Sequence, residues 1–116
     1  MQDLDSLFSY IEASPAAPGA VAEAARRLSE AGFTPLGEAA PWQIVPGGKY
    51  YVTRNLTSLV AFRMPACPPS GVMIVAAHSD SPSYAVGTTS PERRDARYTR
   101  LSVEKYGGML AATWMD

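Results

Sequence analysis

The spacing of hydrophobic residues changes along this chain from helical to extended. Leu4, Leu7, Phe8 and Ile11 fall at i, i+3, i+4 and i+7, one stripe of an amphipathic helix, and Ser14-Pro15 closes it. In "SPAAPGAVAEAARRLSEAGF" the residues Val21, Ala24, Ala25 and Leu28 share a face, which predicts a second helix stopping with Gly32 at the C′ position. Lys49 to Arg54 and Ser58 to Met64 are rich in β-branched and aromatic residues, with Asn55 in the short link, so a hairpin is expected. "PACPPSG" reads as a loop, and the apolar run Val72-Met73-Ile74-Val75-Ala76-Ala77 predicts a strand covered on both faces. "SYAVGTTSPERRDARYTR" has a charged middle and reads as a solvated loop, while the alternation from Tyr98 to Val103 predicts a strand. Gly107-Gly108 marks a turn or a close backbone approach. No repeat, low-complexity tract or dividing linker is visible, so one α/β domain at most is expected.

The polar set His78-Ser79-Asp80-Ser81 follows the apolar run abruptly, at the strand end where open α/β sheets bind ligands. Positions two apart on an extended segment share a side, so His78 and Asp80 can face one cleft. Neutral imidazole is a common metal ligand, and a nearby carboxylate can hold it in the right tautomer. The alternative is as concrete: His78 hydrogen-bonds Asp80 or a backbone carbonyl at a strand end. Spacing alone favours that alternative, because zinc needs three or four ligands and the chain has a single histidine. A Ser-His-Asp triad is disfavoured, since no G-x-S-x-G turn is present.

Composition narrows the partners. Ten basic and eleven acidic residues leave a net charge of −1, so neither nucleic acid nor an anionic membrane surface is expected. Cys67 is the only cysteine, which excludes an internal disulfide and a cysteine zinc cluster and fits a reducing cytoplasm. No apolar stretch approaches the roughly 20 residues that span a bilayer. "MQDLDSLFSY" carries two aspartates and no basic group, so it does not read as a secretory signal.

Three stretches, "GGKYYVTRNLTSLVAF", "AAHSDSP" and "VEKYGGMLAATWMD", resemble in order and spacing the aspartyl aminopeptidase family, the M18 zinc metallopeptidases. The resemblance covers essentially the whole chain. It implies an α/β fold, the N-terminal portion of a zinc-exopeptidase-like (phosphorylase/hydrolase-like) mixed sheet with flanking helices. Residues 1–116 would be the N-terminal segment of an M18-like catalytic domain whose remainder is absent. It also implies an enzyme with two zinc ions that removes an N-terminal residue, often an acidic one, from a peptide substrate. By motif match His78 is a zinc ligand and Asp80 the catalytic-site carboxylate that orients it. In the family the general-base glutamate and the other ligands come from later in the chain, so this polypeptide is expected to be inactive alone. Asp116, Glu104 and Tyr106 are expected to be structural, and substrate-binding residues are not assigned. Two other readings stand beside this one: a non-catalytic assembly or binding module, and one half of a split enzyme. The resemblance further implies a sheet completed by later strands, so this piece would leave an open apolar edge, and since M18-like enzymes form large homo-oligomers at least a dimer is expected. Ser79 stands where threonine is usual, and Met109 replaces a third glycine, a costly change if that position needs positive φ.

Overall fold

Both expected helices form in the computed structural model, which describes residues 2–88, 92–94 and 97–114. Helix α1 spans Gln2–Glu12 and α2 spans Ala17–Glu30. The end of α2 follows from Gly32, whose φ of 80° no side-chain-bearing residue adopts cheaply. Gly32 N–H donates to Ser29 O and Phe33 N–H to Leu28 O, the pair of bonds that satisfies the last carbonyls of a helix. Arg27 of α2 clasps α1, donating to the Ser6 carbonyl at 3.1 Å and to the Ser9 hydroxyl at 2.9 Å while lying over the Tyr10 ring. Glu23 accepts from Arg26 and Arg27, and these bonds, Arg26 first, hold its carboxyl down at about 2. That stabilisation is present above the ordinary value of 4.5 and is lost only as pH falls toward 2. The stripe of Leu4, Leu7, Phe8 and Ile11 lies on an exposed face of α1.

The hairpin forms where expected, its second strand ending at Arg63, one residue before the expected Met64. Strands β1 (Thr34–Pro35), β2 (Lys49–Arg54) and β3 (Ser58–Arg63) make a three-stranded sheet in that order, β1 parallel to β2 and β3 antiparallel to it. Alternation divides the sheet into two faces. Tyr51 meets Ser29 of α2 through their hydroxyls at 3.0 Å, and α2 packs on both long strands. On the opposite face Tyr50 pairs directly with Phe62, ring centroids 5.6 Å apart, and Trp42 stacks on Phe62. Among the described residues the buried core is Ala20, Val21 and Tyr50.

The β2–β3 turn is closed by Thr57 N–H donating to Arg54 O, with Asn55 at φ 51° and Leu56 at φ 59°. Positive φ at both central positions is the hairpin turn that matches strand twist, and it suits Asn followed by Gly. Leucine there is strained and contributes no burial, being exposed. Relief of roughly 1–2 kcal/mol, less the roughly 0.5–1 kcal/mol entropy cost of glycine, predicts that Leu56→Gly raises the thermal midpoint by a few degrees. A lowered midpoint would contradict this.

The run Val72 to Ala77 is not the buried strand its composition predicts. Residues 71–78 form neither strand nor helix, and Val72, Met73, Ile74 and Val75 are 83% to 93% exposed. A strand exists through bonds to a neighbour and through cover on its faces. Among the described residues nothing supplies either for this run.

The chain divides into two compact units, Met1–Asp80 and Ser81–Asp116, where the sequence shows no linker. The second unit is richer in strands than the expected solvated loop. Strand β4 (Ser83–Val86) pairs with β7 (Val103–Tyr106), and β5 (Glu92–Arg94) with β6 (Thr99–Leu101), all antiparallel. The single strand expected from Tyr98 to Val103 is therefore two, broken at Ser102, because its halves pair with different partners. A two-stranded ribbon is solvated on both faces, so its residues need not alternate in polarity. Gly107 has φ 77°, so of the two expected roles it serves as a turn; a Cβ there would meet Pro82 Cα at an ordinary contact distance of 3.4 Å, and the backbone angle rather than crowding favours glycine. Met109 is not among the residues at positive φ and replaces glycine without that strain. A short 3-10 helix, Ala111–Trp114, follows, with Trp114 edge-on to Tyr84.

Candidate metal centre

His78 and Asp80 meet at the end of the extended segment: Nδ1 of His78 lies 3.2 Å from Oδ1 of Asp80. A carboxylate oxygen only accepts, so the neutral ring that makes this bond carries its proton on Nδ1 and keeps the Nε2 lone pair for another partner. The His78 side chain is 92% exposed. With Tyr10, Val21, Leu59 and Ser79 it lines a cleft of about 290 Å³. Tyr10 is itself fixed, its hydroxyl donating to Ala20 O at 3.2 Å. Between the two members of the pair, Ser79 donates from Oγ to the Thr57 carbonyl at 2.7 Å.

The donor set fits a share of a metal site. An imidazole whose far nitrogen is held by a carboxylate is how proteins present histidine to a cation, but zinc takes four ligands. Among the described residues no group of three or more His, Cys, Asp or Glu comes together. Cys67 is exposed and pairs with no other cysteine. Asp116 lies outside the described residues. Glu104 and Tyr106 lie in β7, opposite Ala85 and Ser83. Sequence reasoning brought His78 and Asp80 together through their spacing. It missed Tyr10, Val21 and the Thr57 carbonyl, whose approach depends on long-range packing that leaves no local periodicity.

An α/β body that presents an imidazole oriented by a carboxylate beside a cleft has the makings of a metal-dependent hydrolase. Comparison with known proteins gives the family. The aminopeptidase I zinc metalloprotease (M18) family matches residues 10–116. The probable M18 family aminopeptidase 2 of Ectopseudomonas mendocina is 43% identical over 115 residues, 97% of this chain and 27% of that protein. The cryo-EM structure of the Ape4 and Nbr1 complex is similar with a TM-score of 0.81 at 36% identity, covering 93% of this chain and 21% of that one. The S. cerevisiae mApe1 dodecamer gives 0.80 at 29% identity, covering 97% and 27%. The chain belongs to the M18 family of aminopeptidases and spans about a quarter of the length of the curated relatives it matches.

Proposed function

We propose that this chain is the N-terminal segment of the catalytic domain of a zinc aminopeptidase, and that it is inactive without the rest of that domain. The reading is carried by the exposed His78 ring with Nδ1 engaged by Asp80. His78 would give Nε2 to one of two zinc ions, and Asp80 would keep the ring in that tautomer. Zinc, when bound, supplies Lewis acidity toward the scissile carbonyl and a water acidic enough to attack near neutral pH. The other ligands and the general base would come from the remaining three quarters of the protein, whether in the same polypeptide or from a separate one. The substrate would be a peptide with an acidic N-terminal residue. Assembly into a homo-oligomer is supported by the dodecamer of the mApe1 relative. A cytoplasmic location is proposed because the free Cys67 suits a reducing compartment.

The test compares the 116-residue chain with a hybrid in which it replaces the matching segment of the Ectopseudomonas mendocina relative. Aspartyl-, glutamyl- and leucyl-p-nitroanilide are the substrates, with zinc read by plasma mass spectrometry. The chain alone should release no p-nitroaniline, and the hybrid should bind zinc and favour the acidic substrates. Cleavage by the chain alone, or a folded, zinc-loaded hybrid that cleaves nothing, would refute the proposal.

A further inference from the structure

We infer that Ser79 is a positioning residue of the His78–Asp80 pair, tethering the backbone between its two members to the hairpin turn through the Thr57 carbonyl. Its relevance to metal binding rests on the function proposed above; the tether itself does not. The bond between His78 and Asp80 joins two exposed residues of an irregular segment and persists only while the backbone between them holds its course. Residues 71–78 approach it without any strand or helix, so no ladder of backbone bonds sets its place. Ser79 is half-buried between two exposed neighbours, and its hydroxyl reaches Thr57 O at 2.7 Å, an ordinary O–H···O distance.

The acceptor is itself well held. Arg54 opposite Ser58 is the last pair of the β2–β3 ladder, so the Thr57 carbonyl lies beyond it and is free to accept from outside the hairpin. Thr57 N–H closes the turn on Arg54 O, and the left-handed Asn55 and Leu56 hold that turn tight. Adjacent Cα atoms are 3.8 Å apart across a trans peptide, so anchoring Ser79 places both members of the pair one residue from a fixed point. Ser58, Leu59, His78 and Ser79 accordingly line one cleft. The need is for a hydroxyl at this position. Threonine satisfies it with a stiffer χ1, whereas alanine does not.

His78 is the only histidine, so its ring nitrogens can be followed without ambiguity by long-range 1H–15N NMR on the metal-free 116-residue chain at a pH where the ring is neutral. The parent should show the Nδ1–H tautomer that the Asp80 bond selects. Ser79→Ala should move the ring toward the Nε2–H form that unrestrained imidazole prefers, with the amide spectrum of the helices and hairpin unchanged. Ser79→Thr should keep the parent tautomer. A folded Ser79→Ala chain with the parent tautomer overturns the inference. If Ser79→Ala unfolds the chain, Ser79→Cys, a poorer donor, gives the graded comparison with Ser79→Thr, and identical tautomers in the two overturn it equally. In the zinc-loaded hybrid Ser79→Ala should weaken zinc retention against a chelator by about 10–100-fold, as losses of groups that orient a ligand do, and Ser79→Thr should restore it. Should His78→Ala leave zinc retention intact while the tautomer result holds, the metal reading fails and the tether stands.

Discussion

If His78 holds one of two zinc ions as proposed, His78→Ala in the hybrid is expected to lose that ion and to reduce aminopeptidase activity to background. The alanine removes a whole donor, and no cluster of candidate ligands among the described residues stands ready to replace it. Asp80→Asn should behave differently. The asparagine carbonyl can still accept from Nδ1–H, so the ligand survives, but the negative charge that raises imidazole basicity is gone, and zinc affinity should fall by about 10–100-fold. Plasma mass spectrometry after dialysis distinguishes the missing ion from the weakened one, and circular dichroism establishes that both variants fold. A folded His78→Ala protein that retains both ions and full activity would remove His78 from the metal site.

The second large effect is on stability. Tyr50 is the only bulky residue in a described core otherwise made of Ala20 and Val21. Its ring packs on Phe62, and its hydroxyl accepts the Val45 N–H at 3.0 Å. Gly48 makes the arrangement possible, since a Cβ there would overlap the Tyr50 ring. Tyr50→Ala should cost about 3–5 kcal/mol, as for other large aromatic truncations. Small domains have only about 5–15 kcal/mol in total, so the cooperative thermal transition of the chain should be lost or shifted far down. Tyr50→Phe keeps the ring and loses one hydrogen bond, a cost of about 1 kcal/mol. A Tyr50→Ala chain that melts within a few degrees of the parent would show that the aromatic cluster is not what holds the sheet.

The exposed run from Val72 to Val75 bears on handling of the chain as well as on its fold. Four consecutive large apolar residues without cover are prone to β-pairing between molecules. The same property fits the proposed function, in which the rest of the domain would cover this run.

The elements legible in the residues are those whose causes are local. The spacing of Val21, Ala24, Ala25 and Leu28 with Gly32 beyond them specifies α2 and its end, because a helix closes its own bonds within four residues. Lys49–Arg54 and Ser58–Arg63 are legible for a similar reason, since a short link forces neighbours in sequence to become neighbours in the sheet. His78 and Asp80 two residues apart are legible as a pair. What depended on tertiary structure was everything settled by residues far apart in the chain. Val72 to Ala77 has a strand's composition but pairs with no neighbour among the described residues. Ser83–Val86 and Glu92–Arg94 lack a strand's alternation yet find partners in Val103–Tyr106 and Thr99–Leu101. Ser79, between His78 and Asp80, is tethered to Thr57, 22 residues before it. A strand and a tether are each completed by a distant group, and no local pattern of side chains records where that group will be.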